Sequence, residues 1–123
     1  HLGDIYYEAG DFGKAKTEYE AALKQNPSVI RAYLNLGRSY RSLGRLETAE
    51  EIFNTLLKLD PNNAVAWKDL GELAEGRENN EAAVHAYKQY LVHSPAAPDA
   101  AKIRARIGRL QNPYKPEAPP REL

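Results

Sequence analysis

Apolar positions along this chain recur at the spacing of amphipathic helices, and the predicted helices come in pairs separated by short turns. A proline follows each pair and ends it. The last predicted helix carries one apolar stripe of Ile103, Ile107 and Leu110, with Pro98 at its first helical position. The helices predicted with defined bounds cover residues 30–43, 46–59, 64–76, 80–93 and 98–111. The pattern therefore predicts an all-α chain.

The helix pairs repeat at a fixed period. Laid against itself at an offset of 34 residues, as from Leu2 to Leu36, the sequence matches at its glycines, alanines, aromatics and prolines. The matched sets are Gly3, Gly37 and Gly71; Ala15, Ala49 and Ala83; Tyr19, Phe53 and Tyr87; and Pro27, Pro61 and Pro95. A period of this length is typical of stacked helix-turn-helix units that share a continuous core.

Small residues have two predicted roles in each unit. Gly10 and Gly44 fall in the turn between paired helices, where a positive φ is easily adopted, and the third unit offers Asn79-Asn80 there. Gly37 with Ala49, and the equivalent pair in the next unit, are predicted to let two helices approach closely. The large aromatics are expected to fill the space between successive pairs.

An aromatic, a Leu-Gly pair, a Tyr, an Ala, a second aromatic and a closing Pro together resemble the tetratricopeptide repeat family. The resemblance implies a right-handed α-solenoid of about three units with a C-terminal capping helix. The implied divisions are an N-terminally truncated unit 1 over 1–29, unit 2 over 30–63, unit 3 over 64–97, a capping helix over 98–111 and a proline-rich tail over 112–123.

The resemblance also implies a binding surface, the concave wall built from the first helix of each unit. The residues expected on it are Asp4, Tyr7, Glu8, Arg31, Leu34, Asn35, Arg38, Arg41, Lys68, Asp69, Glu72 and Glu75. Arg38 and Arg41 lie on one helix face and could converge on a carboxylate or phosphate. Alternatively, they form weak exposed ion pairs with Glu72, Glu75, Asp4 or Glu8.

One subfamily with this fold binds the C-terminal carboxylate of chaperone peptides through five clamp positions. Only Asn35 matches that pattern here, and Asp4, Val65 and Asp69 stand at other clamp positions. Two of these have the wrong charge for a carboxylate, so the chain is expected to lie outside that subfamily.

Composition narrows the function further. Lys plus Arg and Asp plus Glu both number 17, so no overall field favours nucleic acid. Cysteine is absent, and no apolar run approaches the roughly 20 residues that cross a bilayer. No residues form a nucleophile, metal or cofactor motif, and His85 and His93 are too far apart on their helix to share a metal. We therefore expect a soluble non-enzyme with no cofactor, no metal, no nucleic-acid partner and no membrane insertion, in either a cytoplasmic or a periplasmic compartment.

Chain ends add two expectations. Met is absent and His1 falls inside a helical pattern, which predicts a piece of a longer protein whose N-terminal end is uncapped. The tail is rich in proline and is expected to be extended, lying on the module's surface with Tyr114 as an anchor.

The sequence thus predicts an adaptor or scaffold that binds a protein or peptide segment in its concave groove. A substrate-selecting or regulatory arm of a larger enzyme is the alternative. Self-association through the uncapped N-terminal end is a third possibility.

Overall fold

The computed structural model describes residues 2–112, and every regular element in that range is an α-helix. The helices are α1 (Leu2–Glu8), α2 (Phe12–Gln25), α3 (Ile30–Ser42), α4 (Leu46–Leu59), α5 (Ala64–Gly76), α6 (Asn80–His93) and α7 (Ala100–Gln111). The predicted all-α solenoid is confirmed. The proposed position of Tyr114 lies outside the described residues.

Helices pack in three consecutive pairs, α1 with α2, α3 with α4 and α5 with α6, and α7 closes the stack against α6. The first helices of the pairs, α1, α3 and α5, also contact one another in order. The second helices, α2, α4 and α6, do not touch one another within the described range. Neighbouring units also meet where the second helix of one packs on the first helix of the next, as α2 does on α3 and α4 on α5. The first helices thus form a continuous inner wall, and the second helices lie further from one another.

Each pair is closed by an aromatic ring that rests on a glycine. A Cβ added to Gly37 would lie 2.6 Å from Phe53, and one added to Gly71 would lie 2.7 Å from Tyr87. Gly3 faces the ring of Tyr19 in the same way. These aromatics were expected to fill the space between successive pairs, and each also belongs to a buried cluster that includes residues of the next unit, as Tyr87 does with Ile103 of α7. Glycine is needed because the ring of the same unit's second helix occupies the space of its side chain.

The turns inside the pairs use backbone with positive φ. Gly10 has φ 78° and Gly44 has φ 79°, as predicted. In the third unit the left-handed residue is Glu78, at φ 60°, and not an asparagine. Asn79 instead ends the turn, where its side chain accepts a hydrogen bond from the Ala82 N–H and caps α6. The asparagines thus serve the next helix and leave a glutamate in a conformation that favours glycine.

Helix α7 begins later than the sequence predicts. Pro98 lies before it in a turn in which the Ala100 N–H donates to the Ala97 carbonyl. Asp99 has φ −97° and ψ 9°, as in the third position of a type I turn, so Pro98 occupies the position that this turn prefers for proline. Ile103 and Ile107 are buried against the third unit, and Leu110 packs beside them, which makes α7 part of the core.

Apolar surface remains exposed at the other end of the stack. In α1, Leu2 is 49% exposed and Ile5 is 63% exposed. Between residues 2 and 112, none of the helices combines the length and the apolar character needed to span a bilayer.

Candidate partner-binding groove

The inner wall of α1, α3 and α5 carries mostly polar side chains, and most of them are half-buried. Of the residues expected there, Glu8 and Arg31 are exposed, and Asp69 is buried. The remainder are half-buried, namely Asp4, Tyr7, Leu34, Asn35, Arg38, Arg41, Lys68, Glu72 and Glu75. Such side chains are held in place by their neighbours yet are still within reach of a ligand.

Successive first helices are joined by polar contacts at a constant offset. Asn35 Nδ2 donates to Asp4 Oδ1 over 3.3 Å, and Arg38 Nε donates to Asp69 Oδ2 over 2.5 Å, each across 31 residues. The same offset joins Lys68 to Asp99 (2.7 Å) and Glu75 to Arg106 (3.7 Å). The offset is one repeat less about one helical turn, because neighbouring helices lie side by side with that stagger. These contacts form a ladder along the groove, and we call each one a rung.

Asp4 is the centre of the first rung. Its Oδ1 also accepts from the Tyr19 hydroxyl over 2.6 Å, and Arg31 lies 3.3 Å from its Oδ2. The Tyr19 hydrogen bond lowers the pKa of Asp4, with help from Arg31 and Asn35 against the opposing effect of burial. Asp4 is thus committed to holding α1, α2 and α3 together, and it stays charged at neutral pH.

The second rung corrects two expectations. Asp69 was expected to be open to the groove, but it is only 6% exposed and lies beneath Arg38. The alternative prediction for Arg38 was a weak ion pair with Glu72, Glu75, Asp4 or Glu8, and it pairs with Asp69 instead. Burial alone would lower the pKa of Arg38, but the hydrogen bond and charge of Asp69 outweigh it and raise the pKa. A ligand in the groove would therefore contact Arg38 and not Asp69.

The third rung fixes α7 to the stack and includes two residues that the sequence reading missed. Asp99 accepts from the Tyr90 hydroxyl over 2.5 Å as well as pairing with Lys68. Lys68, followed by Tyr90, lowers the pKa of Asp99. Asp99 stands 34 residues after Val65 and 68 after Arg31, so extending the repeat register into the last helix would have placed it on the wall.

A cleft of about 310 Å³ opens in the groove between α3, α5 and α7. Its lining residues are Arg41, Glu72, Glu75, Gly76, Tyr87 and Arg106. On one side Glu75 accepts from the Tyr87 hydroxyl over 2.8 Å, and Arg106 lies beside both groups, with its guanidinium 5.9 Å from the Tyr87 ring centroid. Burial, followed by the Glu75 hydrogen bond, raises the pKa of Tyr87. Tyr87, Glu75 and Arg106 thus form one fixed wall.

Arg41 and Glu72 also line this cleft. In the part of the chain that the structure describes, neither side chain makes a hydrogen bond or an ion pair within 4 Å. Glu72 stabilises the charges of Lys68 and Arg106 only from a distance. The two predicted arginines therefore differ, because Arg38 is committed to Asp69 whereas Arg41 is available.

Charge alternates from helix to helix along the wall. The first helix presents Asp4 and Glu8, α3 presents arginines, α5 presents Glu72 and Glu75, and α7 presents Arg106. Lys68 of α5 and Asp99 before α7 are exceptions in sign, and they pair with each other. The remaining charges form four bands of alternating sign, which attract one another and leave little net charge in the groove.

A stack of helical pairs with an open inner wall defines a helical-repeat protein of the α-solenoid class. Two family models described as tetratricopeptide repeat match residues 2–64 and 36–108. The chain belongs to the tetratricopeptide repeat family.

Among curated proteins, the general transcriptional corepressor ssn6 of Schizosaccharomyces pombe is 34% identical over 104 residues, which is 85% of this chain and 9% of the corepressor. The uncharacterized protein ycf37 of Pyropia yezoensis is 42% identical over 65 residues, or 53% of this chain and 36% of that protein. This chain therefore spans well under half the length of these relatives.

Among solved structures, PcrH in complex with the chaperone binding region of PopD superposes with a TM-score of 0.83. The sequence identity is 21%, and the match covers 93% of this chain and 89% of PcrH. At this identity the likeness shows that the two chains share a fold.

Proposed function

We propose that this chain is a protein-interaction adaptor that holds a segment of a partner protein in the groove along α1, α3 and α5. The observation that carries the proposal is the inner wall itself, where half-buried polar side chains are ordered by the ladder and open into the cleft beside Arg41. Side chains fixed in this way lose little conformational entropy when a ligand binds, which favours affinity. The complex of PcrH with a region of PopD supports the proposal, because that protein of the same fold holds a segment of another protein.

Charge favours a protein partner over nucleic acid. A nucleic-acid backbone carries charge of one sign along its length and needs a continuous positive stripe. The groove instead alternates in sign, with the acidic Glu72 and Glu75 between the arginines of α3 and Arg106 of α7. An extended or helical peptide with mixed polar side chains suits such a surface better.

Binding, and not catalysis, is the role that this architecture supports. The repeat fold is generally non-catalytic, and Tyr19, Tyr87 and Tyr90, whose pKa values are raised, donate to carboxylates in structural contacts. A reaction would require reactive groups that are free to meet a substrate. The groove therefore supplies recognition.

The test is selection of a random peptide library displayed on phage, followed by calorimetric titration of the best peptide. We expect Arg41→Glu to weaken binding about tenfold or more, because it removes an available cation from the groove. Lys58→Glu is the matched control. It makes the same change in charge at an exposed position of α4, which is a second helix. Equal effects of the two variants, or a library that yields no binder, would count against the groove as the site.

Self-association through α1 is a second candidate, and the exposure of Leu2 and Ile5 favours it. A cleft of about 330 Å³ adjoins Leu2, Gly3, Tyr19 and Ala22, and its lining is mainly apolar. A second copy could cover this surface. Light scattering should then show a dimer that becomes a monomer in Ile5→Lys, and a monomeric wild-type chain would exclude it.

A further inference from the structure

The ladder along the groove has one missing rung. Arg41 on α3 and Glu72 on α5 stand at the same 31-residue offset as the joined pairs Arg38–Asp69 and Lys68–Asp99. In the described range, with α7 counted as a first helix, the other oppositely charged pairs between first helices at this offset lie within 4 Å of each other. Arg41 and Glu72 do not. The cleft opens where this rung would be, and both residues line it.

An unpaired cation and an unpaired anion on one cleft wall restrict what binds there. A carboxylate would satisfy Arg41 but would be repelled by Glu72, and an ammonium group would have the opposite conflict. The remaining wall gives neither ion a net advantage, because the charge of Arg106 is offset by its neighbour Glu75. The cleft therefore suits a neutral group that offers an acceptor and a donor together.

A primary carboxamide has this arrangement. Its carbonyl oxygen accepts and its NH₂ donates along one edge, so it can receive a hydrogen bond from Arg41 while donating one to Glu72. A single trans peptide group does not offer this edge, because its N–H and C=O point in opposite directions. The volume of about 310 Å³ lies near the lower end of typical ligand pockets, so a single side chain has room to enter.

We propose that the cleft between Arg41 and Glu72 binds the carboxamide of a glutamine or asparagine side chain in the partner segment. This inference rests on the proposed function and adds the chemistry that the groove selects. The carboxamide completes the ladder, bridging α3 and α5 as Asp69 and Arg38 do one turn earlier. Hydrogen bonds to charged groups are stronger than those between neutral groups, so this position should dominate the sequence preference of the groove.

The experiment uses the full chain, the random peptide library and two isosteric variants, Arg41→Gln and Glu72→Gln. Wild-type protein should select peptides with glutamine or asparagine at one fixed position. Replacement of that residue by Glu or Lys should weaken binding about tenfold or more in calorimetric titration. Glu72→Gln should reverse the preference in favour of the Glu peptide, because Arg41 then stands alone, and Arg41→Gln should favour the Lys peptide.

The outcomes separate this inference from the proposed function. Binders without an enriched carboxamide position, or a ranking of the Gln, Glu and Lys peptides that is the same in all three proteins, overturn the carboxamide site and leave the groove intact. A Lys58→Gln control checks that loss of a charge elsewhere does not change the ranking. If no peptide is selected at all, the proposed function fails and this inference fails with it.

Discussion

Arg38 donates from Nε to Oδ2 of Asp69 over 2.5 Å, and the carboxylate that it covers is 6% exposed. Removing Arg38 would leave a buried carboxylate without its partner, which is more costly than losing an exposed ion pair. We expect Arg38→Ala to lower the free energy of unfolding by about 1–3 kcal/mol, since Arg38 itself is partly exposed and solvent screens the pair. Urea denaturation followed by circular dichroism measures the change.

Arg41→Ala is the matched control for that measurement. Arg41 lies one turn further along the same helix and has no ion-pair partner within 4 Å in the range that the structure describes. Its removal should change the unfolding free energy by less than about 0.5 kcal/mol. Equal losses in the two variants would mean that Asp69 is not stabilised by Arg38.

The glycines beneath the aromatic rings give a second prediction. Gly37→Ala places a Cβ 2.6 Å from the ring of Phe53, so the ring or the helix must move, and we expect a loss of about 1–3 kcal/mol. Gly108 lies in α7 with open space around it, and Gly108→Ala should instead stabilise the chain by up to about 1 kcal/mol. Thermal and urea unfolding of the two variants provide the comparison, and a Gly37→Ala protein as stable as wild type would refute the packing argument.

The turn before α6 gives a third prediction. Glu78 has a φ of 60°, a conformation that costs a side chain about 1–2 kcal/mol relative to its preferred backbone. Glu78→Gly relieves this strain but increases the freedom of the unfolded chain, so we expect a net gain of up to about 1 kcal/mol. The reciprocal change at the equivalent turn, Gly44→Ala, should destabilise by about 1 kcal/mol. A difference of the opposite sign in urea unfolding would contradict the assignment of Glu78 to this role.

Acid should weaken the stack through the carboxylates of the first and third rungs. The pKa values of Asp4 and Asp99 are lowered from 3.8 in the folded chain, so they contribute stability above that value and lose it as the pH falls through their folded values. We expect the unfolding free energy to decline from about pH 5 to about pH 2, and Asp99→Asn to flatten part of that decline. Thermal melts at each pH measure it.

Glu51→Gln, at an exposed site on α4, is the control for the acid series. It changes the charge by the same amount as Asp99→Asn without touching a rung. If both variants reproduce the wild-type pH profile, the Lys68–Asp99–Tyr90 contact is not a source of the acid sensitivity.

The repeat period is enough to predict most of the fold, because each recurring glycine, alanine and aromatic has a packing role that its residue type indicates. It predicted the helix pairs and the positive φ of Gly10 and Gly44. It did not reveal that Phe53 rests on Gly37, since an alignment at one period shows which positions are equivalent and not which of them touch.

The ion pairs of the groove could not be predicted from the sequence, for a related reason. The stagger between neighbouring first helices sets which residues meet, and it appears only in three dimensions. Without it Arg38 could be assigned to Glu72 as readily as to Asp69. Glu78 was missed because glutamate ordinarily avoids the left-handed region, so its residue type points away from the conformation it adopts.

The bands of alternating sign fix the order in which the units can be joined. If unit 2 were duplicated, the partner of Arg38 would change from Asp69 to a copy of Asn35, and Arg41 would face a copy of Arg38 in place of Glu72. Two basic helices would then stand side by side, and their repulsion would work against the close packing of the inner wall. Although the units resemble one another in their cores, each is matched to one neighbour, so this array cannot be lengthened or shuffled freely.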